Sequence, residues 1–145
     1  MEEIKIPFTH KTVSVLFDKN LFDFIAETNH SSICLLIDEN VFELHKKLFS
    51  PHNPLIIKSG EEYKIQATVD RIIDEMLERG YDRNTVLYAI GGGVTTDIGG
   101  YVASVYKRGI NFNQVPTSIL AMVDAAIGGK NGVNTTLYKN MISIS

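Results

Sequence analysis

An apolar run, Thr85 to Ile90, ends in three successive glycines, Gly91-Gly92-Gly93, and passes into a segment of helical character, Val94 to Val105. Few arrangements accommodate this. A buried strand must turn sharply into a helix, and side-chain-free residues at the bend let a ligand touch backbone. The helix that follows aims its free N–H groups and the positive end of its dipole at the same spot. Diphosphate is the natural guest. A tight turn with no ligand satisfies the same glycines.

The rest of the chain repeats the strand-then-helix theme. Ile4 to Phe8 and Val13 to Phe17 read as short strands, and Leu21 to Ala26 as a short helix. Ile33 to Ile37 is continuously apolar, the mark of a strand buried on both faces. Val41 to Phe49 reads as one helix, stopped near Pro51. Leu55-Ile56-Ile57 is another buried strand. It leads through Ser59-Gly60 to an amphipathic helix in which Ile65, Val69, Ile72, Ile73, Met76 and Leu77 recur at helical spacing before Gly80. Phe112 to Val115 is a last strand, and Thr117 to Ala126 reads as helical. The alternation predicts an α/β fold, a Rossmann-like parallel sheet with helices on both faces. Ligands of such sheets sit beyond the carboxyl ends of the strands. Asp38, Ser59-Gly60-Glu61, the three glycines and Thr117-Ser118 all follow strand ends, so they are expected to converge on one edge.

Composition narrows the partners. With 145 residues the chain suffices for one domain, 1–145, and its net charge of −3 comes without a basic stripe, which argues against nucleic acid. No apolar run approaches the ~20 residues that cross a bilayer. The charged start Met1-Glu2-Glu3-Ile4-Lys5 lacks the core of a signal peptide. The single cysteine, Cys34, excludes an internal disulfide and reads as a buried hydrophobe. A cytoplasmic location is the expectation.

The candidate site residues each admit two uses. The turn departs from the dinucleotide fingerprint, since Thr96 holds the third glycine position and no acid follows about 20 residues later. Asp38 is the best ribose-binding acid, and equally an N-cap for the helix near Val41. Gly60-Glu61-x-x-Lys64 reads as the opening of a helix, and Lys64 can face the ligand edge or pair with Glu61. Asp97, expected in the first turn after the glycines, suits a nicotinamide or ribose contact or a cap, and would repel diphosphate. Gly128-Gly129-Lys130 fails as a P-loop because Asn131 follows the lysine. The segment holding Asp124, Lys130, Asn134, Lys139 and Asn140 suits a phosphorylated, hydroxyl-rich substrate, or is a solvated loop. Arg108 can fork onto phosphate or carboxylate, or lie at the surface. The four histidines show no metal spacing.

Three long stretches in order, GGGVTTDIGGYVASVYKRG from Gly91, QVPTSILAMVDAAIGGKNGVN from Gln114 and KNMI from Lys139, closely resemble the 3-dehydroquinate synthase family. The resemblance implies an N-terminal Rossmann-like domain for NAD and a C-terminal metal-binding helical domain, absent here, that holds zinc or cobalt. It also implies a homodimer. It implies conversion of 3-deoxy-D-arabino-heptulosonate 7-phosphate to 3-dehydroquinate, in which NAD oxidises a hydroxyl, phosphate leaves by elimination and the ketone is reduced again. By position it assigns Asp38, Glu61, Lys64, Gly92, Gly93, Asp97, Thr117, Ser118 and Lys139 to the cofactor. Asp124, Lys130 and Asn140 fall to the substrate, with the substrate loop beginning at about 124–145. Arg108 matches an arginine that reaches substrate phosphate across a dimer interface. The family's metal ligands lie beyond Ser145, so the chain alone is expected to bind NAD without turnover.

Several positions depart from the family pattern. Thr96 stands for a glycine and is expected to narrow the room beside the turn. Ser118 stands for threonine, Ala125-Ala126 for a Ser-Ser pair, Lys58 for proline and Tyr138 for glycine. Another sugar-phosphate cyclase shares the same NAD half. A metal-dependent glycerol or alcohol dehydrogenase shares the glycine turn, but Gln114 to Lys130 and Lys139-Asn140 argue against it. A non-catalytic nucleotide-binding module is the remaining alternative.

Overall fold

A computed structural model describes residues 2–7, 12–17, 21–28, 32–117 and 142–144. Seven strands form one sheet: β1 (Glu2–Pro7), β2 (Thr12–Phe17), β3 (Ile33–Asp38), β4 (Leu55–Ile57), β5 (Val86–Gly91), β6 (Asn111–Pro116) and β7 (Ile142–Ile144), in the order β1-β2-β7-β6-β5-β3-β4. The block β6-β5-β3-β4 is parallel, as expected of a Rossmann-like α/β fold. The opening strands differ from that expectation. β1 pairs antiparallel with β2, β2 with β7, and β7 with β6, so the sheet as a whole is mixed. A hairpin is the short connection open to β1 and β2, since parallel neighbours need a longer crossover.

Five α-helices are described: α1 (Leu21–Thr28), α2 (Glu39–Leu44), α3 (Lys46–Phe49), α4 (Gln66–Glu78) and α5 (Gly93–Val105). Successive strand residues face opposite ways, and the core divides accordingly. Leu35, Ile37, Val86, Tyr88 and Ile90 pack with Leu21 and Phe24 of α1 and Phe49 of α3. Cys34, Leu36 and Leu87 pack with Val69, Ile72 and Met76 of α4 and Ile98, Val102 and Ala103 of α5. Helices therefore cover both faces. The single helix expected from Val41 to Phe49 is broken at His45 (φ −128°, ψ 35°), whose N–H still reaches Val41 and Phe42. Neither glycine nor proline marks the break.

β4 is the outer strand of the parallel block. Arg71 of α4 donates to the Ile56 carbonyl (3.1 Å), and Arg79 donates to the Asn53 carbonyl (2.6 Å). Covering carbonyls at a sheet margin with guanidinium groups leaves less template for pairing with another chain.

Cys34 is fully buried, and desolvation pushes its thiol up to about 12. The thiolate is the reactive form. The folded chain is therefore expected to resist a thiol-specific disulfide reagent at about pH 8. The one thiol should titrate once denaturant is added. Rapid labelling of the native chain would contradict this burial.

Candidate functional site

The register levels the strand ends. Asp38 lies opposite Ile57, Ile37 opposite Ile90, and Gly91 opposite Pro116. From β3 the chain crosses to β4 on one side, then returns to place β5 on the other. The crevice between the carboxyl ends of β3 and β5 is thus a topological switch point, where open α/β sheets bind ligands. Asp38 and the glycine turn stand on its two sides. The expected convergence of Asp38, Ser59-Gly60, the glycines and Thr117 on one edge is what the structure shows. Thr117 N–H donates to the Gly91 carbonyl at 2.8 Å.

Each glycine has its own reason. A Cβ on Gly91 would lie 2.8 Å from Cβ and Oγ1 of Thr95 and 2.9 Å from Cβ of Asp38. Only a bare residue lets the end of β3 and the first turn of α5 close on each other there. A Cβ on Gly93 would meet nothing within 4 Å. Gly92 caps α5 without a side-chain hydrogen bond, and the first helical bond runs from Thr96 N–H to the Gly92 carbonyl at 3.0 Å. The amides of Gly93, Val94 and Thr95 therefore lack intrahelical acceptors. An exposed helix start with such amides fits an anion.

Asp38 is the N-cap of α2. Its Oδ1 accepts from the N–H of Asn40 (2.8 Å) and Val41 (3.2 Å), and its Oδ2 accepts from the Ser59 hydroxyl. Ser59 Oγ in turn accepts from the Asn40 side chain at 2.9 Å. A carboxylate offers about four acceptor sites. Three are used, so a ribose would find one on Oδ2, or two after displacing Ser59. Capping and ligand binding are both open to this carboxylate.

Three readings need correction. Gly60-Glu61 opens a 3₁₀ turn, Glu61–Tyr63, rather than the long helix; α4 begins later, at Gln66. Asp97 lies in the second turn of α5 and does not cap it. It accepts a hydrogen bond from Lys64 Nζ at 2.9 Å, whereas Glu61 is 4.0 Å from the same ammonium. Thr96 does not narrow the turn. It is 3% exposed, and its hydroxyl donates back to the Gly92 and Gly93 carbonyls, 3.2 Å from each.

Lys64 and Asp97 line a cleft of about 430 Å³ between α4 and α5, with Ile65, Gln66, Val69, Ile98 and Tyr101. Glu61 is exposed beside it. Arg108 is not brought to this edge. It follows the far end of α5, about 20 Å from the glycine turn for a helix of this length. It sits in a left-handed pair with Lys107 (φ 68° and 50°). Ser118, Asp124, Lys130, Lys139 and Asn140 lie outside the described residues. Among the described residues no group of three or more His, Cys, Asp or Glu is placed to hold a metal, and no helix is long and apolar enough to cross a membrane. Asn40 and Thr95 escaped the sequence reading, as did the bond from Ser59 to Asp38. Their only signal is position at strand ends whose register the sequence does not print.

A family model described as 3-dehydroquinate synthase N-terminal matches residues 54–144, more than half of the chain. The chain belongs to the 3-dehydroquinate synthase family. It is 38% identical over 135 residues to the 3-dehydroquinate synthase of Blochmanniella floridana, covering 88% of this chain and 37% of that enzyme. Across the curated relatives it spans 24% to 43% of their length. Among solved structures, 2-epi-5-epi-valiolone synthase from Streptomyces hygroscopicus subsp. jinggangensis, with NAD+ and Zn2+ bound, aligns with a TM-score of 0.58 at 31% identity. The match covers 71% of this chain and 31% of that one. A 2-deoxy-scyllo-inosose synthase complexed with carbaglucose-6-phosphate, NAD+ and Co2+ aligns with a TM-score of 0.69 at 24% identity, over 86% of this chain and 38% of that one. That second likeness speaks for the fold alone. The β3–β5 crevice thus belongs to a chain of the 3-dehydroquinate synthase family.

Proposed function

We propose that this chain is the NAD-binding portion of a 3-dehydroquinate synthase, which converts 3-deoxy-D-arabino-heptulosonate 7-phosphate to 3-dehydroquinate with loss of phosphate, in the shikimate pathway to aromatic amino acids. The supporting observation is the switch-point crevice, with Asp38 at the end of β3 on one side and the glycine turn that starts α5 on the other, where a Cβ on Gly91 would lie 2.9 Å from Cβ of Asp38. The α5 amides would hold the diphosphate, and Asp38 an adenosine ribose hydroxyl. Thr117, tied to Gly91, would border the nicotinamide side. When bound, NAD would take a hydride from a substrate hydroxyl carbon and later return it, so that phosphate can leave in between.

Arg108, at the far end of α5, is proposed to serve a second copy's substrate phosphate in a homodimer. Asp124, Lys130 and Asn140 are proposed to bind substrate. Ser118 and Lys139 are proposed to lie beside the cofactor, and Glu61 and Lys64 near its adenosine. A zinc or cobalt ion would be held by residues that the resemblance places outside these 145. The chain alone is therefore proposed to bind NAD without turnover, in the cytoplasm.

Calorimetric titration of NAD into the folded chain tests this reading. Asp38→Asn keeps the cap, since Asn caps as well as Asp, but removes the charge. A lost charge-assisted bond of about 1.5–3 kcal/mol predicts at least a tenfold weaker NAD affinity at nearly unchanged Tm. Glu39→Ala should change neither. Equal affinities for the parent and both variants would leave Asp38 with capping alone. Release of phosphate from the heptulosonate phosphate, after supplying the metal-bearing remainder of a relative, separates this reading from a cyclase of another sugar phosphate.

A further inference from the structure

A groove of about 530 Å³ lies at the outer margin of β4 and shares no residue with those assigned to the cofactor. Its size is that of a small-molecule site. It runs between Glu39, at the start of α2, and the first two turns of α4. Ile56, 38% exposed, and the half-buried ring of Tyr63 give it apolar surface. Tyr63 is fixed by its N–H to the Gly60 carbonyl, 3.1 Å. Lys58 Nζ lies 5.6 Å from the centre of that ring, within reach of a cation–π contact. Among the described residues no carboxylate pairs with Lys58. Arg71 is held on the groove wall by two bonds, to Glu75 at 2.6 Å and to the Ile56 carbonyl at 3.1 Å. A guanidinium carries five N–H donors, so open ones remain. Among the described residues, Glu39 is the one acid that lines the groove. Two cations against one carboxylate suit a ligand with a single negative charge, and the aromatic face beside them suits a flat ring.

We propose that this groove is a binding site for a small aromatic carboxylate, separate from the cofactor site. The carboxylate would take Lys58 and the open donors of Arg71, and the ring would lie against Tyr63 and Ile56. Glu39 would turn away a dianion such as a phosphate ester. Lys58 is the residue that stands for a proline in the family pattern, and a proline there would carry no charge to the groove.

Benzoate and cyclohexanecarboxylate share a charge but differ in their rings. Each is titrated into the folded chain by NMR, with and without excess NAD. Benzoate is expected to bind at about 1 mM, ordinary for a ligand of its size. It should bind roughly threefold more tightly than its saturated counterpart. Shifts should centre on the amides of Lys58, Tyr63, Ala67 and Thr68. Lys58→Met should weaken benzoate about fivefold, and Lys58→Arg should restore it. Tyr63→Leu should abolish the preference for the aromatic ring. Thermal melts of the three variants check that each is folded. Absence of benzoate binding would overturn the proposal, as would equal affinities for the parent and Lys58→Met, or shifts centred elsewhere. Displacement of benzoate by NAD would make the groove part of the cofactor site and overturn it too. A parent chain that binds benzoate but not NAD would refute the cofactor reading and leave this one standing.

Discussion

Gly93→Ala is expected to fold at least as well as the parent chain and to lose most of its affinity for NAD. Stability and binding should separate because of where the new methyl goes. At the first position of α5 it meets nothing within 4 Å, so it creates no clash. Replacing glycine by alanine also lowers the conformational freedom of the unfolded chain, worth about 0.4–1 kcal/mol where the backbone is compatible. The same methyl enters open space at the exposed first residue of α5, where the proposed diphosphate would meet the helix amides. A phosphate oxygen must approach an N–H to about 2.9 Å, and a carbon in the way prevents it. Losing one or two charge-assisted bonds of about 1.5–3 kcal/mol each weakens binding by tenfold to several hundredfold. A thermal melt and a calorimetric titration on one sample check both halves. Undiminished NAD affinity would mean that the diphosphate sits elsewhere. Gly91→Ala is a different case, since its methyl would be forced to within 2.8–2.9 Å of Thr95 and Asp38 and would spread the crevice itself.

The contrast between these neighbouring glycines marks the limit of sequence reading. Strand β3, strand β5 and the helix after the glycines were legible because their apolar runs and periodicity are local properties. So was the gathering of strand-end residues at one edge, which follows from parallel order. Pairing was not legible. The antiparallel pairing of β2 with β7, which joins the opening hairpin to the sheet, links segments more than 100 residues apart in the chain. The break at His45 carries no glycine or proline. At the site, Asp38 was visible as a strand-end acid, but its bond from Ser59 crosses 21 residues and needs the β3–β4 register. Lys64 read as a partner for Glu61, three residues away, because that is the pair a helix would make. That pair is present at 4.0 Å, and the side chain also takes Asp97, 33 residues on, at 2.9 Å. Arg108 reads as a phosphate ligand from its chemistry, yet the length of α5 carries it to the other end of the sheet from the glycine turn.

The dinucleotide fingerprint places a third glycine where helix and strand pack closely. Here Thr96 holds that position, and the packing role falls to Gly99, one turn along α5. Gly99→Ala is therefore expected to destabilise the chain, against the usual gain of up to about 1 kcal/mol for alanine over glycine inside a helix. Its new Cβ would lie 2.5 Å from Cβ of Ala89, at the centre of β5, and 3.1 Å from Cε1 of Phe112. Carbon atoms rest about 3.5–4.0 Å apart, so α5 would have to lift by roughly 1 Å. Ala89 is fully buried on an interior strand and cannot give way. Ile98, Val102 and Ala103, all buried in the same layer, would lose packing together. Overpacking of this kind costs about 1–3 kcal/mol, and a fall in Tm of roughly 3–10 °C should follow. NAD affinity should fall as well, because the start of α5 carries the amides. Adding Ala89→Gly to the same chain removes the facing methyl and should recover part of the lost Tm, less the cost of glycine in a strand. A single variant that melts higher than the parent would show that helix propensity governs here and that α5 does not pack on β5 as closely as described.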